Sequence, residues 1–253
     1  MLKMESFVKF TNQSQGRDRV FRAIQNACMF LNHMLKNRAG YEQLAKKLKQ
    51  LELNMSTGRK LFRLGNMIHA VETARKTYQL SDPVLRFCLT VSSLTRVAYF
   101  VCDNILWARS IGFLSSIDKE RWSLRASKYY FASLLITLVR DLYEVVQQMD
   151  QKRQDPKQQK VNRHREQNHP QESRNREHIM EVNFLLSFML ILHILKSNPP
   201  LLMDLVKNLC DLFGPLDRLS VYKTSPAVVG LCGFISSSLG ILTVAQPVLR
   251  LKP

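Results

Sequence analysis

A chain of 253 residues that is 45% hydrophobic has ample apolar material for a core, and its net charge of +17 is set to attract a polyanion such as nucleic acid or an anionic membrane surface. Of that charge, +10 falls in residues 1–80, which hold 15 Lys/Arg against 5 Asp/Glu. The five cysteines (Cys28, Cys88, Cys102, Cys210 and Cys232) are scattered and form no Cys-x-x-Cys pair, which argues against a zinc site or a disulfide framework and fits a reducing compartment.

Helical spacing recurs along the chain and regular strand alternation does not. MLKMESFVKFTNQ lacks the apolar core of a secretory signal, and MESFVKF from Met4 reads as a natural beginning. Residues 11–18 are polar and placed to cap a first helix, in which Val20, Ile24, Ala27, Leu31 and Met34 share one face. Gly40 breaks that pattern. Leu44, Leu48 and Leu51 then make a stripe with Lys46, Lys47 and Lys49 on the other faces. Ser56 or Thr57 is placed to cap a third helix running through TGRKLFRLGNMIHAVETARKTY. Leu61, Leu64, Ile68 and Val71 form its stripe, and Arg59, Arg63, Asn66 and Thr73 lie opposite.

A long apolar region follows at 83–107, interrupted by Arg86, Arg96 and Asp103. The pattern YYFASLLITLV leads into RDLYEVV and fades near Met149. Residues 151–178 hold one aliphatic residue, Val161, and no aromatic; with 8 basic and 4 acidic residues they cannot bury enough apolar area to offset ordering, which predicts a disordered, solvated linker. Residues 182–195 carry no charge but are short for a span, and are expected to be packed or interfacial. Asn198-Pro199-Pro200 stops that helix and starts the next, whose faces are Leu201, Leu205, Leu209, Leu212 and, opposite, Asp204, Lys207, Asn208, Asp211. Gly214-Pro215 is expected to end it.

The last apolar run, residues 224–249 between Lys223 and Arg250, has no charge, and a bilayer core of about 30 Å needs roughly 20 helical residues. It is expected to span, trimmed by Pro226 and Pro247. Within it Gly233 and Ser237 are four apart, as are Ser236 and Gly240, so each pair makes a groove suited to self-association, or simply reflects the small residues common in membrane helices. Residues 83–108 are read either as a second span or as a half-buried helix, because Arg96 at mid-span costs about 2.5–3.5 kcal/mol on an insertion scale. The fold class is therefore all-α, an integral membrane protein with amphipathic helices and one or two transmembrane helices. Its expected parts are a basic cytosolic region 1–82, a span 83–108, a helical region 109–150, the linker 151–178, a helical region 179–223, a span 224–249 and a short cytosolic tail 250–253.

The basic helices before residue 80 are either solvated faces over a core or interfacial helices whose stripes sink roughly 5–10 Å into anionic lipid. Each Lys or Arg at such a surface adds about 1 kcal/mol. On the second reading Arg59, Lys60 and Arg63 meet headgroups, Leu61, Leu64, Ile68 and Val71 insert, and one-sided insertion bends the bilayer. No phosphate-cradling glycine loop, nucleophile elbow or paired-histidine metal motif occurs, so no catalytic, cofactor or metal residue is expected and the chain is not read as an enzyme. No zinc finger or RNP motif supports nucleic-acid binding. An alternative is a pore or metabolite-transport role with Arg96 and Asp103 facing the lumen.

Six stretches in order resemble the peroxin-11 family of peroxisomal membrane proteins, and its alpha form most. They are FTNQSQGRDRVFRAIQ (10–25), STGRKLFRLGN (56–66), RVAYFVCDNILW (96–107), YYFASLLITLVRDLYE (129–144), DLFGPLDRL (211–219) and VVGLCGFISSSLG (228–240). The resemblance implies a multi-pass peroxisomal membrane protein with both termini cytosolic, hence an even number of spans. It also implies peroxisome elongation, proliferation and division with a dynamin-related GTPase and its membrane adaptor, homo- and hetero-oligomers within the family, and delivery by the peroxin-19 receptor. It maps the family's membrane-inserting helix onto residues 58–74. Coatomer recruitment, proposed for the family, finds no clear dilysine signal in RLKP.

Overall fold

A computed structural model describes residues 14–36, 38, 40–154, 176–249 and 251. The described residues form helices and turns with no strand: α1 (Ser14–Leu35), α2 (Glu42–Phe62), α3 (Asn66–Thr77), α4 (Pro83–Ser110), α5 (Lys119–Gln154), α6 (Arg176–Ser197), α7 (Pro199–Arg218) and α8 (Pro226–Ala245). A 3-10 turn follows at Pro247–Leu249. Two compact units result, one of Met1–Arg140 with Met203–Pro253 and one of Asp141–Leu202. The first carries the basic helices and both long apolar helices. In it α1 packs along α8 and along α2, and α3 packs along α4. The second contains α6, with Val145, Ile194 and Leu201 buried and Asn198 donating to Gln148.

Local chemistry explains the ends of the long apolar helices. The Asp82 carboxylate accepts from the Val84 and Leu85 amides at 2.8 and 3.0 Å and Pro83 fills the first turn, so α4 begins where its orphan N–H groups are satisfied. Ser225 and Pro226 do the same for α8. α4 and α8, with mean hydropathy 1.4 and 2.0 over their most apolar windows, are long and apolar enough to cross a membrane; a third crossing would require Ser187–Ser197 and Pro199–Arg218 to be joined across their break. We read α4 and α8 as the spans. Gly40, with φ +87°, sits in the left-handed region and separates α1 from α2 as expected.

Three expectations are corrected. Ser56 and Thr57 do not cap a helix; they lie inside α2, where the Thr57 hydroxyl donates to the Leu53 carbonyl at 3.1 Å. The expected continuous helix through residues 58–74 is broken at 63–65 by tight turns, Leu64 N–H to Leu61 O and Asn66 N–H to Arg63 O, next to Gly65, whose helix propensity is poor. Gly214-Pro215 does not end α7: the helix continues through Pro215, at the loss of one amide hydrogen bond, to Arg218, and stops before Ser220 at φ +55°. Most of the expected linker, residues 155–175, lies outside the described residues, while 151–154 and 176–178 at its edges are helical.

Polarity is inverted relative to a water-soluble bundle. The outer face of α4 exposes Val84, Phe87, Leu94 and Val101, that of α5 exposes Leu135 and Val139, and that of α8 exposes Val228, Leu231, Phe234, Ile235 and Leu242. Buried positions include Asn26, Ser92, Asp103, Ser133, Thr137, Arg140, Asn208, Asp211, Ser236 and Ser237. In water such an apolar exterior is a liability. In hydrocarbon it is the stable arrangement, because polar groups must find partners inside the protein.

Candidate functional site

The polar interior is built from charged residues of α1, α2, α4, α5 and α7. Arg22 of α1 donates twice to Asp211 of α7, at 2.6 and 3.2 Å, and the Tyr130 hydroxyl donates to the same carboxylate at 3.0 Å. Arg59 donates to Asp18 at 3.0 Å and to Gln25 at 2.8 Å, so α2 is fastened to α1. Arg63, freed by the break after α2, reaches Asp18 at 3.6 Å, Asp103 of α4 at 3.2 Å and the Tyr99 hydroxyl. Arg140 and Lys207 share Asp204, the first at 2.8 Å. Ser92 and Thr137 join α4 to α5 by a buried bond of 2.9 Å.

Burial alone would raise the Asp18 carboxyl, but the Arg59 and Arg63 charges outweigh it and hold the group below the ordinary carboxylate value. Asp211 is lowered in the same way, burial being overridden by Arg22. Burial brings Arg59 down to about 10 despite Asp18, and burial with the Asp211 charge pushes Tyr130 up to about 12. The sign for acid stability follows. Carboxylates lowered in the folded state stabilise it fully above their unfolded value of about 4, and that contribution is lost as pH falls through the lower folded values. Denaturant unfolding is therefore expected to be flat near neutrality with respect to these groups and to weaken below about pH 4. Asp18→Asn should flatten this decline; a decline of unchanged size would show that Asp18 does not contribute to it.

Some of these polar groups border a cavity of about 440 Å³ among α1–α5 and α7, whose wall includes Arg19, Arg22, Asn26, Arg59, Arg63, His69, Arg96, Tyr99, Tyr130 and Lys207. No group of three His, Cys, Asp or Glu residues able to hold a metal occurs among the described residues.

The sequence-predicted site residues fall in three places. Leu61, Ile68 and Val71 are outward, 53%, 72% and 49% exposed, as an inserting stripe requires, with Leu64 and Lys60 half-buried beside them. Arg59 and Arg63 point the other way, with side chains only 14% and 10% exposed and already paired to carboxylates; the expectation that they meet lipid headgroups is corrected for this arrangement. Exposed Lys46, Lys47, Lys49, Arg75 and Lys76 are among the cations the outer face presents.

Gly233, Ser236, Ser237 and Gly240 do share a face, but the chain's own α1 occupies it. A Cβ at Gly233 would stand 2.6 Å from the Asn26 amide, and one at Gly240 would stand 3.0 Å from Arg19. Asn26 also approaches Ser237 Oγ at 3.5 Å, and both serines are fully buried. The face is therefore not free for self-association. Arg96 and Asp103, expected together along a pore, part company: Arg96 lines the cavity, whereas Asp103 lies behind the wall against Arg63. Asp18, Arg22, Asn26, Tyr130 and Asp211 were missed by sequence reading. The available signal was the presence of single acids or amides among basic and apolar positions that a bilayer would force inward.

Apolar helices facing outward around a polar, cross-linked interior define a helical integral membrane protein. The family Peroxisomal biogenesis factor 11 (PEX11) matches residues 4–245. The chain is 49% identical over 250 residues to Peroxisomal membrane protein 11A of Homo sapiens, covering 98% of this chain and 99% of that protein. It is 42% identical over 264 residues to Peroxisomal membrane protein 11B of Homo sapiens (99% and 100%), and 23% identical over 248 residues to Peroxisomal membrane protein 11 homolog of Dictyostelium discoideum (94% and 92%). No solved structure matches it. The chain belongs to the PEX11 family, a family of peroxisomal membrane proteins of peroxisome biogenesis.

Proposed function

We propose that this protein shapes the peroxisomal membrane, promoting elongation and division. The observation that carries this reading is the outward apolar edge Leu61, Ile68 and Val71 on helices whose exposed flanks carry Lys46, Lys47, Lys49, Arg75 and Lys76. Anchored by α4 and α8, such an edge sinks into one leaflet, and its cations hold it against anionic lipid. Unequal expansion of the two leaflets then bends the sheet. On this reading the chain is multi-pass with both termini cytosolic and is not an enzyme. It assembles with copies of itself and other family members, is delivered by the peroxin-19 receptor, and hands the narrowed membrane to a dynamin-related GTPase and its adaptor. α1 packs on the small-residue face of α8, so on this reading assembly uses other surfaces.

Full-length protein in anionic liposomes tests the reading. The triple variant Leu61→Asp, Ile68→Asp, Val71→Asp should remain helical and resist carbonate extraction yet lose tubulation, since each inserted side chain contributes about 1.5–3 kcal/mol. Undiminished tubulation by that variant would sink the mechanism; release of the parent protein by carbonate would sink the membrane reading itself.

A further inference from the structure

Six cations stand on the cavity wall, Arg19, Arg22, Arg59, Arg63, Arg96 and Lys207, with only Asp18 and Asp211 among them. Asp103 and Asp204, just behind, serve Arg63 and Lys207. Every wall cation except two is thereby paired with a carboxylate. Among the described residues, Arg19 and Arg96 have neither a hydrogen bond nor an ion pair. Arg96 lies midway along α4, yet its side chain is exposed, because it opens onto the cavity instead of packing. Two guanidinium groups facing a shared space repel one another, and the nearest carboxylates, Asp18, Asp204 and Asp211, act on them only from a distance, each being in direct contact with another cation. Asn66 and Ser93 add neutral hydrogen-bonding groups to the wall.

We propose that this cavity is a binding site for a phosphate group carried as a dianion, held between Arg19 and Arg96. Two unpaired guanidinium groups match two negative charges, and planar N–H donors suit phosphate oxygens. A volume of about 440 Å³ admits a phosphorylated small molecule or a phosphomonoester lipid headgroup. The site is internal and distinct from the outward Leu61, Ile68 and Val71 edge, so it does not rest on the membrane-shaping reading.

The full chain in neutral detergent is titrated with inorganic phosphate and, separately, with dihexanoyl phosphatidic acid, each against chloride or dihexanoyl phosphatidylcholine at matched ionic strength, and the thermal midpoint is followed. A rise with inorganic phosphate supports the site with a soluble source. A rise with phosphatidic acid alone supports it with a lipid source. Arg96→Gln and Arg19→Gln should each weaken the effective anion by about tenfold or more. Without anion, both variants should melt at or above the parent midpoint, since a repelling charge has been removed; a structural arginine would lower it. The proposal is overturned if neither probe raises the midpoint beyond its control, if the two variants respond as the parent does, or if both melt lower without anion.

Discussion

Asp211→Ala is expected to destabilise the folded protein by about 3–5 kcal/mol, because it leaves the Arg22 guanidinium buried without its counter-charge. Arg22 and Asp211 have side chains 15% and 4% exposed, so water does little to compensate. The same carboxylate also accepts from Tyr130, and Tyr130→Phe should cost less, about 1.5–3 kcal/mol, since it removes one hydrogen bond to a charged acceptor and leaves the pair intact. The double variant Arg22→Met, Asp211→Leu should recover most of the single-variant loss, because a buried pair replaced by apolar side chains of similar size is often neutral. Reversible unfolding in detergent by denaturant, with all four proteins compared, checks this. A loss below 1 kcal/mol for Asp211→Ala, or a double variant as weak as the single one, would mean that the pair is solvated in the native state.

The inversion of polarity explains both what was legible in the sequence and what was not. The run 224–249 was readable because length and absence of charge depend only on the hydrocarbon thickness, and α8 falls within it; the run 83–108, interrupted by Arg86, Arg96 and Asp103, left a span and a half-buried helix both open, and α4 starts where that run starts. Stripe periodicity located α1 and α7 but left open which face turns inward. In α1 the stripe residues Ile24, Leu31 and Met34 are exposed, while Gly16, Ala23, Asn26 and Cys28 are buried. In α7 Asn208 and Asp211 of the polar face are buried, while Leu209 of the stripe is exposed. Periodicity is blind to this choice, because it reports an angle around the helix and not the medium on either side. It was equally blind to the break at 63–65, since Leu61, Leu64, Ile68 and Val71 keep helical spacing across it. The partner of the α8 glycines was unreadable for a different reason: small residues four apart specify a close approach, and nothing in that spacing says whether the neighbour is α1 or another copy.

That last distinction can be measured, and the expected effect is large. Gly230, Gly233 and Gly240 let α1 lie directly on α8, and the three contacts differ in what stands opposite. A Cβ at Gly230 would meet backbone, the Phe30 nitrogen at 2.8 Å and the Asn26 oxygen at 3.0 Å, whereas at Gly233 it would meet the Asn26 side chain at 2.6 Å. Backbone cannot turn aside, so Gly230→Ala should cost about 1–3 kcal/mol and resist rescue from a side chain. Gly233→Ala should be destabilising to a similar degree, but Asn26→Ala should relieve it, since that substitution removes the obstructing amide. Leucine at either position should separate the helices and lower the unfolding midpoint at every protein concentration. An intermolecular face predicts the opposite behaviour: the variants would keep their unfolding midpoint when dilute and lose only self-association. Glycine substitutions that dissociate oligomers while leaving the dilute protein as stable as its parent would therefore place α1 elsewhere and return the α8 face to a second copy.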